Sequence, residues 1–397
     1  MEHEVVRRDL SALCGPASGP QQAWCVVAAR RGQPLLLPGD APAFARAAVR
    51  FFVAGRTRRL IALARRAGPW PARRRMRLPP FPATTLFGGA AACPDFRLAL
   101  CCGSPGPLRK LVALGVPGLS RAGAADSLTS LREQGAVAKL AMRASADASI
   151  RQEARWLRLL GRAPATARFV PRLLGEGTLE SGRAYFVMNV LPRGSAVAAF
   201  GPPHGDFLAA LGHCGRSAAR WSASPAPRQL RERVAALGGL LDAPAARLLA
   251  ESLDDVERAI GASLLPSCLA HGDFAPWNIR LAGGQLYVFD WEYAQAQASP
   301  LHDFLHFHLI GRVVAGQAPR PAALAALLRA AAAHGGRVFP AWPALGRAVA
   351  WLLVHYLVET VSFYVRASGH LDLGHPVLRP YLRLLRERRH WCAAWNA

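Results

Sequence analysis

The sequence predicts an α+β protein in two lobes, small and β-rich then larger and helical, with an extension ahead of both. Three observations carry this reading. Apolar runs of strand length at 97–102, 111–116, 136–141 and 184–188 crowd the first half, set off by Gly, Pro and polar residues, as strands of a sheet are. Beyond residue 192 the apolar residues form longer helical stretches at 321–334, 344–367 and near 376–390. A Gly283-Gly284 pair between the short apolar runs Ile279–Leu281 and Leu286–Phe289 predicts a tight hairpin inside the helical part. The resulting division is an extension at 1–80, a β-rich lobe at 81–190 and a helical lobe at 191–397.

In the extension, Gln33–Asp40 reads as a short strand and turn. Ala43–Ala67 is helical in composition, with Phe44, Val49, Phe52, Leu60 and Leu63 among several arginines, and the basic run Arg73–Arg77 follows. Two readings stay open. This is a basic amphipathic element for an anionic membrane surface, or a subdomain packed on the β-rich lobe with a solvated arginine face. The second is the simpler.

The β-rich lobe holds both lysines of a chain that otherwise uses arginine: of 49 Lys and Arg residues, only Lys110 and Lys139 are lysine. A compact ammonium fits where a planar guanidinium does not, so a retained lysine draws attention. Lys139 interrupts the apolar strand Ala136–Ala141. In the helical segment Ala146–Leu160, Glu153 lies on the stripe of Ile150, Leu157 and Leu160. An acid on a buried face needs a cation, and Lys139 is the expected one. Lys110 ends the turn Gly103-Ser104-Pro105-Gly106-Pro107-Leu108-Arg109-Lys110. That turn reads equally as a phosphate-covering loop or as a rigid hairpin, since its prolines remove N–H donors.

The densest chemistry lies at 271–293. His271-Gly272-Asp273 is followed by Asn278, then by the expected hairpin, then by Asp290-Trp291-Glu292-Tyr293. The hairpin returns Asp290 toward Asn278. A second His-Gly-Asp, at 204–206, has Leu211 where an Asn would be needed and no hairpin after it; it reads as a helix start.

The spacing His-x-Asp-x-x-x-x-Asn, then a hairpin and a second Asp, resembles the kinase arrangement. Gly272 stands where protein kinases carry Arg, Trp291-Glu292 where they carry Phe-Gly, and no Ala-Pro-Glu follows. The chain is therefore similar to the aminoglycoside phosphotransferase and choline kinase family, the small-molecule branch of the protein-kinase-like fold. Pro300-Leu301-His302-Asp303-Phe304 resembles that family's Pro-x-x-Asp-Leu segment. The resemblance spans about residues 97–310 and is specific from 271 to 303.

The resemblance implies ATP-dependent transfer of the γ-phosphoryl group to a small-molecule hydroxyl, with ATP and Mg²⁺ as cofactors. Asp273 would orient the hydroxyl and take its proton late, since an Asp carboxylate is a weak base for an alcohol. Asn278 and Asp290 would hold Mg²⁺, and Lys139, positioned by Glu153, would pair with the α- and β-phosphates. His271 would brace the loop. Gly103, Ser104, Gly106 and Lys110 would face the nucleotide, with hinge residues Asn189 and Leu191 offering backbone groups to adenine. Asp303 would support the site from a helix start. Trp277 would pack under the loop or line the acceptor pocket.

The acceptor is not legible. Aminoglycosides, choline-like alcohols and sugars fit, as does a sugar or lipid-linked glycan in cell-envelope polysaccharide assembly. The acidic cluster Glu251, Asp254, Asp255 and Glu257 lies on one exposed-looking helix. Rival readings are a pseudokinase-type ATP-binding regulator, opposed by the complete set of Lys139, Asp273, Asn278 and Asp290, and a basic membrane- or nucleic-acid-binding protein.

A formal net charge of +24 usually points to nucleic acid or anionic membrane. Here the arginines are spread along the chain without basic-aromatic interleaving, and specific nucleic-acid binding is not expected. The eight cysteines form no Cys-x-x-Cys pair, so neither a zinc site nor a disulfide framework is expected. His302, His306 and His308 cluster on one predicted helix, where packing is the simpler reading. The charged start lacks the apolar core of a signal peptide, and the expected location is the cytoplasm, peripheral to a membrane if the basic segment binds one.

Overall fold

The computed structural model describes the chain apart from residues 1, 15–20, 29–32, 39–40, 53–74, 118–132, 193, 196, 198, 318 and 397. It forms two compact units, 1–163 with 170–192, and 164–169 with 193–397.

The first unit is built on one antiparallel sheet. Its strands are β1 (Gln22–Ala28), β2 (Pro34–Pro38), β3 (Arg75–Leu78), β4 (Arg97–Cys102), β5 (Lys110–Val116), β6 (Ala136–Ala141), β7 (Leu173–Thr178) and β8 (Ala184–Asn189). Their order is β3-β1-β2-β4-β5-β6-β8-β7. The central strands β5 and β6 are apolar on both faces, and nearly every residue in them is buried. The edge strand β7 instead alternates half-buried and exposed positions, as a one-sided strand must. Gly115 is required in β5, because a Cβ there would lie 2.7 Å from the Phe96 ring and 2.8 Å from that of Phe87.

The first 80 residues also contribute to this sheet. β1, β2 and β3 are three of its eight strands. Val6, Leu10 and Leu13 of the helix Glu2–Cys14 share a core with Trp24, Leu100, Leu111 and Leu140. Arg143 donates to Asp9 at 3.0 Å, joining that helix to the turn after β6. The helix expected at 43–67 is described only as Pro42–Phe52; its remainder lies outside the described residues. There Phe44, Ala45, Ala47, Ala48 and Val49 are buried while Arg46 and Arg50 are exposed. Most apolar residues of this described part thus face protein, in line with the simpler of the two readings.

The second unit is mostly helical. β9 (Ser217–Arg220), β10 (Leu264–Ala270) and β13 (Gln295–Ala298) form a small sheet in the order β13-β10-β9, and β11 (Ile279–Ala282) pairs with β12 (Gln285–Val288). In the turn between these two, Gly283 (φ 57°) and Gly284 (φ 79°) are both left-handed, as a two-residue hairpin of matching twist requires. The helix Ala344–Ser368 is long and apolar enough to cross a membrane by length and composition, yet most of it is buried inside the protein. The His-Gly-Asp at 204–206 lies in the first turn of the helix Pro202–His213, as expected, with His204 Nδ1 accepting the Gly201 N–H.

In the acidic cluster Glu251 and Asp254 are exposed, as the sequence suggested, and Asp255 is not. Asp255, 3% exposed, accepts hydrogen bonds from Arg258, Arg388 and Arg389, tying the last helix, Arg388–Asn396, to the helix Ala243–Ile260. Burial pushes the Asp255 carboxyl up, but bonds from Arg389 and Arg258 and the Arg388 charge outweigh it and hold the group at about 2. The stabilisation is therefore complete above the ordinary carboxyl range and is lost as pH falls toward 2. Asp255→Ala leaves Arg388 buried without its partner, and a loss of about 3 kcal/mol is expected in urea melts at pH 7. The gap between wild type and variant should close as the same melts are taken down from pH 4. Equal stability at pH 7 contradicts the assignment.

Candidate active site

In the first unit, β6 runs between β5 and β8, with Lys139 opposite Val112 on one side and Phe186 on the other. The neighbouring helix Asp147–Arg162 buries Ile150, Glu153, Ala154, Leu157 and Leu160, the face the periodicity predicted. Lys139 Nζ donates to Glu153 Oε1 at 2.6 Å, with the lysine 8% and the glutamate 1% exposed. A charge so buried is tolerable only when paired. The pair holds the ammonium at a defined point on the central strand.

The turn at 103–110 is the hairpin joining β4 to β5. Gly103 N–H donates to the Lys110 carbonyl at 2.7 Å, and Arg109 Nε donates back to the Gly103 carbonyl at 3.1 Å. Ser104 Oγ accepts from Gln33 at 2.9 Å. The Gly103 amide is thus engaged within the turn and is not a phosphate donor in this form, which favours the hairpin reading for that residue. At the end of β8, Asn189 Oδ1 accepts the Arg172 N–H at 2.6 Å, and Asn189 N–H donates to the Arg172 carbonyl. Asn189 therefore pins the neighbouring chain, and Leu191, half-buried, follows it.

In the second unit the loop 271–278 leaves β10 and enters β11. Asp303, in the first turn of the helix His302–Val314, accepts the His271 N–H at 2.6 Å on one oxygen and the Gly272 N–H at 3.0 Å on the other. Gly272 has φ 83°, and a Cβ there would overlap the Tyr293 carbonyl; this explains glycine at a position where protein kinases carry Arg. His271 is fully buried. Its Nδ1 accepts the Asp273 N–H, so Nε2 carries the proton donated to the Phe289 carbonyl at 3.1 Å. Burial pushes its pKa below the usual range. His271 is thus a neutral brace with both nitrogens engaged.

The loop turns the Asp273 side chain outward, leaving it 26% exposed. Asn278 Nδ2 donates to Asp273 Oδ2 at 2.8 Å and to the Asp273 carbonyl at 3.0 Å. Phe289 N–H donates to the Asn278 carbonyl at 3.1 Å, so the hairpin sets Asp290 beside Asn278. Asp290 has φ 74°, a left-handed conformation uncommon outside glycine and often found where a side chain must be aimed. Trp277 is 43% exposed and does not pack under the loop. Among the described residues no three His, Cys, Asp or Glu side chains converge on a metal position.

Sequence reasoning missed the Asp273–His306 contact. His306 Nε2 lies 2.9 Å from Asp273 Oδ1. The available signal was the spacing of His302 and His306, one turn apart on the helix that carries Asp303. His302 meets Glu359 at 3.1 Å. Burial lowers the His302 pKa, but the charge and hydrogen bond of Glu359 outweigh burial and raise it to about 8.

A histidine raised in this way stabilises the fold fully below its unfolded pKa near 6.5, and the contribution is lost as pH rises through 8. Thermal melts should show wild type more stable than His302→Gln at pH 6, with the gap narrowing from pH 7 to 9. A gap independent of pH contradicts an ionic His302–Glu359 pair.

The chain matches the model of the phosphotransferase enzyme family over residues 120–345. No curated protein matches it. Among solved structures it is similar to aminoglycoside phosphotransferase APH(4)-Ia at 13% identity, covering 75% of this chain and 94% of that one, with a TM-score of 0.44. Amicoumacin kinase hAmiN, in complex with AMP-PNP, Ca²⁺ and Ami, gives 13% identity, 73% and 88% coverage and a TM-score of 0.46. The GDP complex of aminoglycoside 2′-phosphotransferase-IIIa gives 15%, 64% and 86%, and 0.39. The family match spans more than half of the chain and includes the strand with Lys139, the loop with Asp273 and the hairpin to Asp290. The chain belongs to the phosphotransferase enzyme family and is an ATP-dependent kinase of small-molecule alcohols.

Proposed function

We propose that Asp273 receives the acceptor hydroxyl and that the acceptor is a neutral or anionic polyol such as a sugar, rather than a polycation. The observation that carries the first part is the outward Asp273 carboxylate, anchored by Asn278 with Asp290 beside it. A carboxylate so fixed accepts the hydroxyl hydrogen and aligns the oxygen for in-line attack on the γ-phosphorus. Its proton transfer comes late, because a carboxylate is a weak base for an alcohol. Lys139, aimed by Glu153, would neutralise charge on the α- and β-phosphates.

The donor set fits Mg²⁺. Asn278 and Asp290 offer hard oxygen atoms, and too few of them for a cage made of protein alone, which suits an ion that completes its shell with nucleotide phosphates. When bound, Mg²⁺ supplies positive charge to the phosphate oxygens. The two side chains hold their oxygens through the hairpin register and the left-handed Asp290 backbone.

Three observations support the acceptor class. Two members of the acidic cluster that would have attracted a polyamine are taken by arginine: Asp254 pairs with Arg231 at 2.8 Å, and Asp255 with Arg258, Arg388 and Arg389. The net charge of +24 also repels a polycation. Near Asp273 stands Tyr364, whose hydroxyl is pushed up to about 12 by burial and by the Asp273 charge, a neutral aromatic group that suits a sugar face. A sugar carried on a lipid has the same hydroxyl chemistry and falls within this class.

MgATP consumption by the full chain, screened against sugars, nucleosides, amino alcohols and aminoglycosides, tests both parts. The expected result is turnover with a neutral or anionic polyol. With that acceptor, Asp273→Asn should lose about 100-fold or more in kcat while binding MgATP as before. Turnover confined to aminoglycosides overturns the acceptor class, and an undiminished kcat in the variant overturns the role of Asp273.

A further inference from the structure

Asp273 meets one side chain that the chemistry above does not use. Its Oδ2 is held by Asn278, and its Oδ1 lies 2.9 Å from His306 Nε2. His306 is 6% exposed and follows Asp303 by three residues, so one turn of one helix holds the loop backbone through Asp303 and the loop carboxylate through His306. Behind the imidazole, His306 Nδ1 lies 3.2 Å from the Tyr356 hydroxyl, which lies 3.2 Å from the Tyr381 hydroxyl. Both tyrosines are buried, and burial pushes both phenols above their ordinary range, so they keep their protons.

These facts fix where the hydrogens go. An ionised carboxylate only accepts, so Nε2–H must point to Asp273. In the neutral ring Nδ1 then accepts from Tyr356, which accepts from Tyr381. In the charged ring Nδ1–H donates to the Tyr356 hydroxyl oxygen. The tyrosine pair satisfies Nδ1 in either state, and the bond to Asp273 is the same in both.

A purely structural bond would hold the loop, and the loop is already held. Asp303 binds its backbone, His271 braces it from beneath, and Asn278 closes it. The His306 bond reaches only the carboxylate. We propose that His306 is a positioning residue for phosphoryl transfer. Its Nε2–H holds the Asp273 carboxylate in the plane in which it receives the acceptor hydroxyl, and the Tyr356–Tyr381 pair holds the imidazole. With Asn278 on one oxygen and His306 on the other, rotation about the carboxyl bond is blocked, while lone pairs remain on each oxygen to accept the hydroxyl. The proposal rests on the reading of Asp273 given above.

The test uses the full chain with MgATP as probe and water as acceptor, alongside ¹⁵N spectra of its histidines. His306→Leu should lower turnover about 10- to 100-fold through lost orientation, with MgATP affinity by calorimetry unchanged. His306→Gln, which restores an N–H at nearly the same place, should recover most of the loss. The ¹⁵N spectrum should show a proton on His306 Nε2, and the Nδ1 resonance should move in Tyr356→Phe. Undiminished turnover in His306→Leu, while Asp273→Asn is impaired, overturns the role of His306 and leaves that of Asp273 standing. Undiminished turnover in Asp273→Asn overturns both. Should the leucine variant not fold, the glutamine variant and the spectrum decide: turnover in His306→Gln lower than wild type by 100-fold or more (about the full effect of misplacement), or a His306 Nε2 without its proton, overturns the proposal.

Discussion

The second unit depends on one buried carboxylate. Asp303 accepts two consecutive backbone N–H groups, from His271 and Gly272, where the chain leaves β10 for the loop. Without it both amides would be buried and unpaired, at a cost of about 1–3 kcal/mol each. With it the chain can make a left-handed turn at Gly272, which places the next residue, Asp273, facing outward. Each later feature leans on that turn. The His271 ring bonds the Asp273 amide on one side and the Phe289 carbonyl on the other, so it joins the loop to the end of the hairpin. Asn278 closes the loop onto Asp273, and β11 and β12 bring Asp290 to Asn278.

The first unit rests on a different buried charge. Lys139 and Glu153 neutralise each other between a central strand and the helix packed on it. Such a pair adds little net stability over an apolar packing of the same shape. Its presence in a chain that otherwise uses arginine agrees with the proposal that a fixed ammonium meets phosphate there. The guanidinium fork is larger and planar and would not sit in the same 2.6 Å contact with the same reach.

Local features were legible in the sequence, and features made by distant partners were not. Gly283-Gly284 identified the hairpin because two left-handed residues in a row leave few alternatives. Glu153 declared itself because helical periodicity put an acid on an apolar stripe, and Lys139 on the preceding strand supplied its partner. That the first 80 residues add strands to the sheet was not legible, because strand pairing is not local. Nothing in β1, β2 or β3 says that they continue the sheet of β4, and an arginine-rich helix with an apolar stripe looks the same whether that stripe meets protein or lipid. The burial of Asp255 was missed for the same reason, since two of its three arginines, Arg388 and Arg389, lie more than a hundred residues away. His306 was visible as a helical histidine, but its partners Asp273 and Tyr356 come from a loop and a helix that only the fold brings together.

The Asp303 carboxylate fixes the loop 271–278 by its two backbone bonds. Amide hydrogen exchange at His271 and Gly272 reads those bonds directly. Both amides should exchange only through global unfolding in the wild-type chain, and in Asp303→Ala they should exchange faster by orders of magnitude while the amides of β5 and β6 stay protected. Rapid exchange of His271 and Gly272 in the wild-type chain would contradict the account.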